Sequence, residues 1–265
     1  MLPSFSPADD PGPDFGALVR RVGLAAPPVD VSADPNAITH GTTCIAVRYA
    51  DGVVMAGDRR ATSGNWISHR TIEKVFPADR YSGVAIAGAA GPAVEMVRLF
   101  QLQLEHYEKV EGSHLSLEGK ANQLSQMIRN HLPAAMSGMA VVPIFAGYDL
   151  KRGVGRLFQY DITGGRYEES DYAATGSGSM HAATVTKLGF RPGLTRDEAV
   201  DLAIHALWQA ADEDSATGGP DLIRKIFPVI ATITAQGFQR LGDEELEERS
   251  RALISEIEER RGVTS

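Results

Sequence analysis

Seven of the chain's fourteen prolines lie ahead of Gly41: Pro3, Pro7, Pro11, Pro13, Pro27, Pro28 and Pro35. Each removes a backbone donor and fixes φ, so a stretch this rich in proline cannot carry a helix interior or a central strand. At most one short helix over 15–22 is expected there, with Asp14 near its start. Composition alone reads this stretch as a disordered tail. A core has to come from the residues beyond Gly41.

The character changes at Thr43. Thr43-Cys-Ile-Ala-Val-Arg-Tyr49 is rich in β-branched and aromatic residues, Ala50-Asp51-Gly52 supplies a turn, and Val53-Val-Met-Ala-Gly57 is a second apolar run. That is a strand–turn–strand pattern. Further strands are expected at 72–76 and 83–88. Helical periodicity follows over 92–110, with Val94, Val97 and Leu104 on one stripe, and over 117–136, where Pro133 should disturb the last turn. Strands are expected again at 141–148, 156–161 and 172–175. Thr195-Arg-Asp-Glu198 is a capping box that opens a helix with Val200, Ala203, Ile204, Leu207 and Ala211 on one face. A strand at 227–234 precedes a charged segment, 243–261, whose Leu246, Leu253, Ile254 and Ile257 form the apolar stripe of an amphipathic helix. Blocks of strands and helices in this order indicate a layered α+β domain, not a parallel βαβ sheet. No linker or internal repeat divides the body.

Charge and composition exclude several classes of function. With 26 basic and 34 acidic residues the net charge is −8, so a global basic footprint for nucleic acid is absent. No apolar run reaches the 18 residues that a membrane span needs. The single cysteine, Cys44, excludes an intrachain disulfide and a multi-cysteine zinc site. Proline and aspartate interrupt the start of the chain where a secretory signal would be apolar, so a soluble cytoplasmic protein is expected. There is no GxxxxGK[ST] loop and no HExxH pair, and the seven histidines show no metal-ligand spacing. His205 falls near the apolar stripe of its helix, as a packed or rim residue. Thr175-Gly-Ser-Gly-Ser179 lacks the GxSxG spacing of a serine-hydrolase elbow.

The informative segment is His40-Gly41-Thr42-Thr43. A threonine that begins a strand is ordinarily structural. Here a dispensable leader ends, a glycine leaves its carbonyl sterically open, and the ordered body starts at once. Freed at its N-terminus, Thr42 would carry a hydroxyl and an α-amine on adjacent carbons. An α-amine has an ordinary pKa of about 7.7–8.0, which makes it a usable general base near neutral pH. Such an amine is one of the few ways to activate a threonine hydroxyl as a nucleophile.

Gly41-Thr-Thr, Gly57-Asp-Arg-Arg60, Lys74, Ala87-Gly-Ala-Ala90, Gly176-Ser-Gly-Ser179 and Asp214-Ser-Ala-Thr-Gly-Gly219 occur in this order. Together they resemble the 20S proteasome β-subunit family, in its actinobacterial branch, collinearly from Thr39 to Phe238. The resemblance implies a four-layer αββα sandwich of the N-terminal-nucleophile hydrolase type. It also implies self-cleavage at Gly41–Thr42 that removes residues 1–41, and a threonine peptidase domain over 42–265. Thr42 is similar to the family's nucleophile, Lys74 to its catalytic lysine and Asp58 to the carboxylate that pairs with it. Gly88 resembles the residue whose N–H forms the oxyanion hole. Ser177, Asp214 and Thr217 resemble the group that orders the nucleophile's amine, with Thr217 standing where serine is more usual. Ala61, Ile72, Phe76, Ile86, Ala90 and Val94 resemble the first substrate pocket. None is charged, so apolar residues before the scissile bond are expected, with a preference of only about 1–3 kcal/mol per methylene. Thr62, with the backbone at Gly88 and Ala90, resembles the edges that hold a peptide by β-addition.

The same resemblance implies a homo-heptameric β ring in a twenty-eight-subunit core closed by proteasome α subunits. An ATP-dependent unfoldase ring and substrates tagged with a ubiquitin-like protein are the further implied partners, with no nucleic acid, membrane, metal or organic cofactor. Three alternatives stand beside this. One is a non-catalytic ring subunit that keeps its leader, against which Thr42, Asp58 and Lys74 occur together. Another is a simpler two-ring threonine peptidase, which is shorter and lacks Gly-Asp-Arg-Arg. The third is an amidohydrolase of small amides, for which Cys44 lies two positions too late to share the freed amine.

Overall fold

The computed structural model describes residues 41–260 and residue 262. The short helix expected over 15–22 lies outside the described residues.

Alternation in the strands builds the sandwich. Strands β1 (Thr43–Tyr49) and β2 (Gly52–Gly57) are buried almost throughout. Ile45, Val47, Val54 and Ala56 face one apolar cluster, whereas Cys44, Ala46, Val53 and Met55 face another. A strand with both faces covered reads as a continuous apolar run, because its period-2 pattern is apolar at every position. The other strands are β3 (Ala61–Ser63), β4 (Trp66–His69), β5 (Val75–Asp79), β6 (Ser82–Gly88), β7 (Val141–Asp149), β8 (Val154–Tyr160), β9 (Arg166–Glu169), β10 (Tyr172–Gly176), β11 (Val229–Thr234) and β12 (Gly237–Arg240). One antiparallel sheet has the order β10-β1-β2-β11-β12, a second has β5-β6-β7-β8-β9, and β3 and β4 form a separate hairpin.

Helices cover the two outer faces. α1 (Ala90–Glu111) and α2 (Leu117–Met136) pack Met96, Val97, Phe100, Leu124 and Ile128 against Val84, Ile86, Phe145 and Phe158 of the second sheet. α3 (Ser179–Gly189) and α4 (Arg196–Glu213) pack Ala182, Val200, Ala203 and Leu207 onto the first sheet. α5 (Asp243–Arg260) adds Leu246 to that layer. Between the sheets lie Cys44, Ala46, Ala85, Ile144, Ala146, Leu157, Ala173 and Ala231. The order helix, sheet, sheet, helix is the αββα sandwich that the resemblance implies.

The capping box forms as expected: Thr195 Oγ1 accepts from Glu198 N, and the Glu198 carboxylate accepts from Thr195 N. Two expectations need correction. The strand expected from residue 72 begins only at Val75, because the Ile72 N–H is used outside the sheet, on Arg59 O at 3.1 Å. α2 spans Leu117–Met136 as expected, with Pro133 in its last turn. A proline near a helix end forfeits one bond, and here the last turn closes with Ser137 N donating to Ala134 O and Ala135 O. α3, β3, β4, β9 and β12 were not expected at all. Among the described residues, no helix is long and apolar enough to cross a membrane.

Candidate active site

The end of the two sheets gathers the candidate residues from six separate segments. Thr42 precedes β1, Asp58 follows β2 and Ser177 follows β10, at one end of the first sheet's strands, and Asp214 caps α4, which covers that sheet. Lys74 precedes β5 and Gly88 ends β6, both on the second sheet. The site therefore straddles the two sheets.

Asp58 is fully buried and accepts four hydrogen bonds. Oδ1 takes Thr43 N (2.8 Å) and Lys74 Nζ (2.6 Å), and Oδ2 takes Arg60 N (2.8 Å) and Gly218 N (2.9 Å). Four donors, one of them charged, offset the cost of burying a carboxylate. Lys74 is also buried, and its three ammonium protons have three acceptors. They are Asp58 Oδ1, Arg60 O at 2.6 Å and the carbonyl of Gly41 at 3.4 Å. This cation thus reaches the carbonyl of the one peptide bond whose cleavage would free Thr42.

A second hydrogen-bonded group lies on the other side of Thr42. Its backbone N–H donates to Ser177 Oγ at 3.3 Å, and its carbonyl accepts from Ser177 N at 2.8 Å. Asp214 Oδ2 accepts from Ser177 Oγ at 2.5 Å and from Thr217 Oγ1 at 2.6 Å, while Oδ1 accepts from Ala216 N at 3.1 Å. Burial alone would push the Asp214 carboxyl up, but the bonds from Ser177, Thr217 and Ala216 outweigh it and hold its pKa below the ordinary value. Thr217 keeps its hydroxyl bond despite the extra methyl group that sets it apart from serine.

Two glycines are fixed by sterics. A Cβ on Gly41 would fall 1.7 Å from Ala216 Cβ, so no side chain fits there. Gly88 has φ +109°, which favours glycine, and a Cβ there would fall 2.0 Å from Ala140 O. Thr62, on β3, accepts from Gly41 N at 3.3 Å through Oγ1, so the hairpin grips the chain just ahead of Thr42.

The expected pocket residues are only partly brought together. Phe76, Ile86 and Val94 join one apolar cluster between β5, β6 and the start of α1. Ala90 opens α1 two residues after Gly88, Ala61 is buried on β3, and Ile72 is tied to Arg59. Cys44 is wholly buried with Sγ 3.5 Å from Ile86 O, and burial pushes its thiol from 9.0 up to about 12. His205 is half-buried on α4, where burial first and Arg260 second push its pKa down.

Three contributors escape reasoning from residue types. The Arg60 carbonyl and the Gly218 N–H act through the main chain, which leaves no side-chain signature, although both residues fall inside the Gly-Asp-Arg-Arg and Asp-Ser-Ala-Thr-Gly-Gly runs. The third is Thr43. Its buried Oγ1 lies 2.5 Å from Thr217 Oγ1 and accepts from Gly178 N at 3.1 Å. Its place beside Thr42 was the available signal. Among the described residues, no group of three or more His, Cys, Asp or Glu is arranged to hold a metal ion.

Comparison with known proteins gives the family. The pattern of the family described as "Proteasome subunit" matches residues 38–224. The chain is 60% identical over 260 residues to "Proteasome subunit beta" of Acidimicrobium ferrooxidans, covering 98% of this chain and 95% of that protein. It is also 60% identical over 215 residues to "Proteasome subunit beta" of Streptomyces griseus subsp. griseus, covering 81% of this chain and 76% of the relative. With the αββα sandwich and that degree of identity in hand, the chain belongs to the proteasome subunit family.

Proposed function

We propose that this chain is a catalytic β subunit of a proteasome core, an N-terminal threonine endopeptidase that cleaves unfolded proteins after apolar residues. The observation that carries the reading is the convergence on one peptide bond. Lys74 Nζ lies 3.4 Å from the Gly41 carbonyl oxygen, and Ser177 Oγ accepts the Thr42 N–H on the other side. A purely structural strand end has no use for a buried cation at that carbonyl.

Two reactions use the one apparatus. In self-cleavage, the Thr42 hydroxyl oxygen bonds to the Gly41 carbonyl carbon, the Gly41–Thr42 C–N bond breaks, and the nitrogen takes the proton. Water then hydrolyses the resulting ester and leaves residues 1–41 with a free carboxylate and Thr42 with a free amine. In turnover, that amine accepts the hydroxyl proton as Oγ attacks a substrate carbonyl, and it returns the proton to the leaving amine. The positive charge of Lys74 favours loss of the hydroxyl proton and lowers the basicity the amine would otherwise have. The N–H of Gly88 is the donor for the oxyanion, and its lack of a side chain allows close approach. Water releases the acyl group. The leader keeps the amine blocked until cleavage.

The proposed setting is a cytoplasmic core of homo-heptameric β rings with α subunits. An unfoldase and proteins tagged with a ubiquitin-like modifier supply its substrates. The test is intact mass and N-terminal sequencing of the chain co-expressed with its α subunit, beside Thr42→Ala. A wild-type product that begins at Thr42, with the variant unprocessed, is expected. A wild type that keeps its leader in a full assembly would leave the structural ring subunit as the better account. Processing of both chains would point to an outside protease.

A further inference from the structure

Proton accounting around Asp214 assigns work to a residue outside the expected set. Each hydroxyl has one proton to give. Ser177 and Thr217 both lie within 2.6 Å of Asp214 Oδ2, the charged acceptor, so both protons go there. The Ser177 contact to Thr42 O at 3.3 Å is the weaker alternative, and that carbonyl already accepts from Ser177 N. Thr217 therefore has no proton left for Thr43, and in the 2.5 Å contact Thr43 is the donor. The Gly178 N–H occupies a lone pair of Thr43 Oγ1. The result is a one-way chain from Gly178 N–H through Thr43 and Thr217 to Asp214, closed away from solvent, since Thr43 and Thr217 are both fully buried.

The backbone of Thr43 belongs to the other half of the site. Its N–H donates to Asp58 Oδ1, the oxygen that also binds Lys74, and its carbonyl accepts from Asp58 N at 3.1 Å. One residue thus fixes the Asp58–Lys74 pair through its main chain and the Asp214 group through its hydroxyl. Space is tight: a Cβ at Gly178 would lie 2.5 Å from Thr43 Oγ1 and 2.9 Å from Thr217 Oγ1.

We infer that the Thr43 hydroxyl is a positioning group for the peptidase reaction. By donating to Thr217 it holds the Thr217 proton on Asp214 Oδ2 and so fixes the carboxylate that takes the Ser177 proton and leaves Ser177 Oγ free to accept from the Thr42 amine. An amine anchored in this way presents its lone pair to its own hydroxyl. Without the Thr43 hydroxyl, Thr217 loses the donor that fixes its proton on Asp214 and the buried Gly178 N–H loses its acceptor. This inference rests on the peptidase reading above.

The test is a double-mutant cycle on the full chain co-expressed with its α subunit. Thr43→Val, Thr217→Val, the pair and Thr43→Ser are assayed with a fluorogenic peptide carrying an aromatic residue before the scissile bond. Rates are normalised to the chains that begin at Thr42 by intact mass. Thr43→Val should lower kcat on the order of tenfold, in the coupling range of touching residues, with KM within about twofold. Thr43→Ser should restore kcat, and Thr43→Val should cost less than about twofold once Thr217 is already valine. Equal losses in both backgrounds, or a loss carried in KM, would overturn the inference. If Thr43→Val or Thr217→Val fails to assemble, Thr43→Ala against Thr43→Ser decides: a tenfold gap supports it and equal kcat overturns it. An active wild type matched by Thr43→Val overturns this inference alone. A wild type that is inactive with its leader retained overturns the peptidase reading and this inference with it.

Discussion

Among the described residues two buried lysines pair with aspartates, and the two pairs differ in what surrounds them. Lys74 and Asp58 meet at 2.6 Å with the lysine 3% and the aspartate 0% exposed. Lys120, 4% exposed, joins α2 to Asp79 at the end of β5. Both aspartates are well supplied with donors: Asp79 Oδ1 also accepts from Tyr81 N and Ser82 Oγ. They differ in what else the cation touches. Lys74 also reaches the backbone of Gly41, beside a hydroxyl that could attack it, whereas Lys120 ties a helix to a turn. Burial and pairing alone therefore do not mark a site, since structural ion pairs share them. What sets Lys74 apart is its further acceptor, the Gly41 carbonyl beside Thr42, and the proposed function rests on it.

Lys74→Met against Lys120→Met tests this contrast most severely. Lys74→Met should remove peptidase activity and leader cleavage by at least about 10³-fold, the scale of losing a member of a catalytic unit. Activity within tenfold of wild type would put both lysines in the same structural class. Next in size, Gly41→Ala should slow leader removal about 10²-fold, because the new methyl group meets Ala216 and shifts the carbonyl from Lys74 and Thr42. Mass spectrometry over time after assembly would read it, and wild-type processing would mean that the contact with Ala216 yields.

Lys120→Met should instead cost about 3 kcal/mol of stability, at the low end for a broken buried pair because Asp79 keeps some solvent and two other donors. Activity per processed chain should stay within about twofold, since the pair lies away from the straddled site. Denaturant unfolding of the precursor beside peptidase assays would check both halves. The smallest effect concerns Cys44, which packs against Gly57 beside the Lys74 stem. Its folded thiol is raised above its unfolded value, so the contribution to stability is full below pH 9.0 and falls as pH rises towards about 12. Native chain at pH 8 should resist alkylation that proceeds at once in denaturant, and rapid native labelling would show that this layer opens.

Much of this was legible in residue order, and the exceptions have physical causes. β1, β2, β6 and β7 are buried on both faces, so apolar runs announce them. β4 is exposed along its whole length and β9 is Arg-Tyr-Glu-Glu, so neither carries alternation. α3 begins inside Gly-Ser-Gly-Ser, which reads as a loop, and buries only Ala182 and Thr186. At the site, Thr42, Asp58, Lys74, Gly88, Ser177, Asp214 and Thr217 have distinctive side chains or none. The Arg60 carbonyl, the Gly218 N–H and the direction of the Thr43 proton exist only once the chain is folded.

The thin layer between the sheets has a consequence beyond stability. Alanines and one cysteine (Cys44, Ala46, Ala85, Ala146, Ala173 and Ala231) interleave there with larger residues such as Met55, Ile144 and Leu157. Thr42 rides on one sheet and Gly88 on the other, so on the proposed reading this layer would act as a shim that sets the gap across which the reacting atoms meet. Thickening it by a methylene or two at mid-core costs about 1–3 kcal/mol, which a well-folded domain can absorb. A displacement of about 1 Å at the rim is worth about 10²-fold in rate. On the proposed reading, substitutions remote from every reacting group would then leave a chain that is folded but idle.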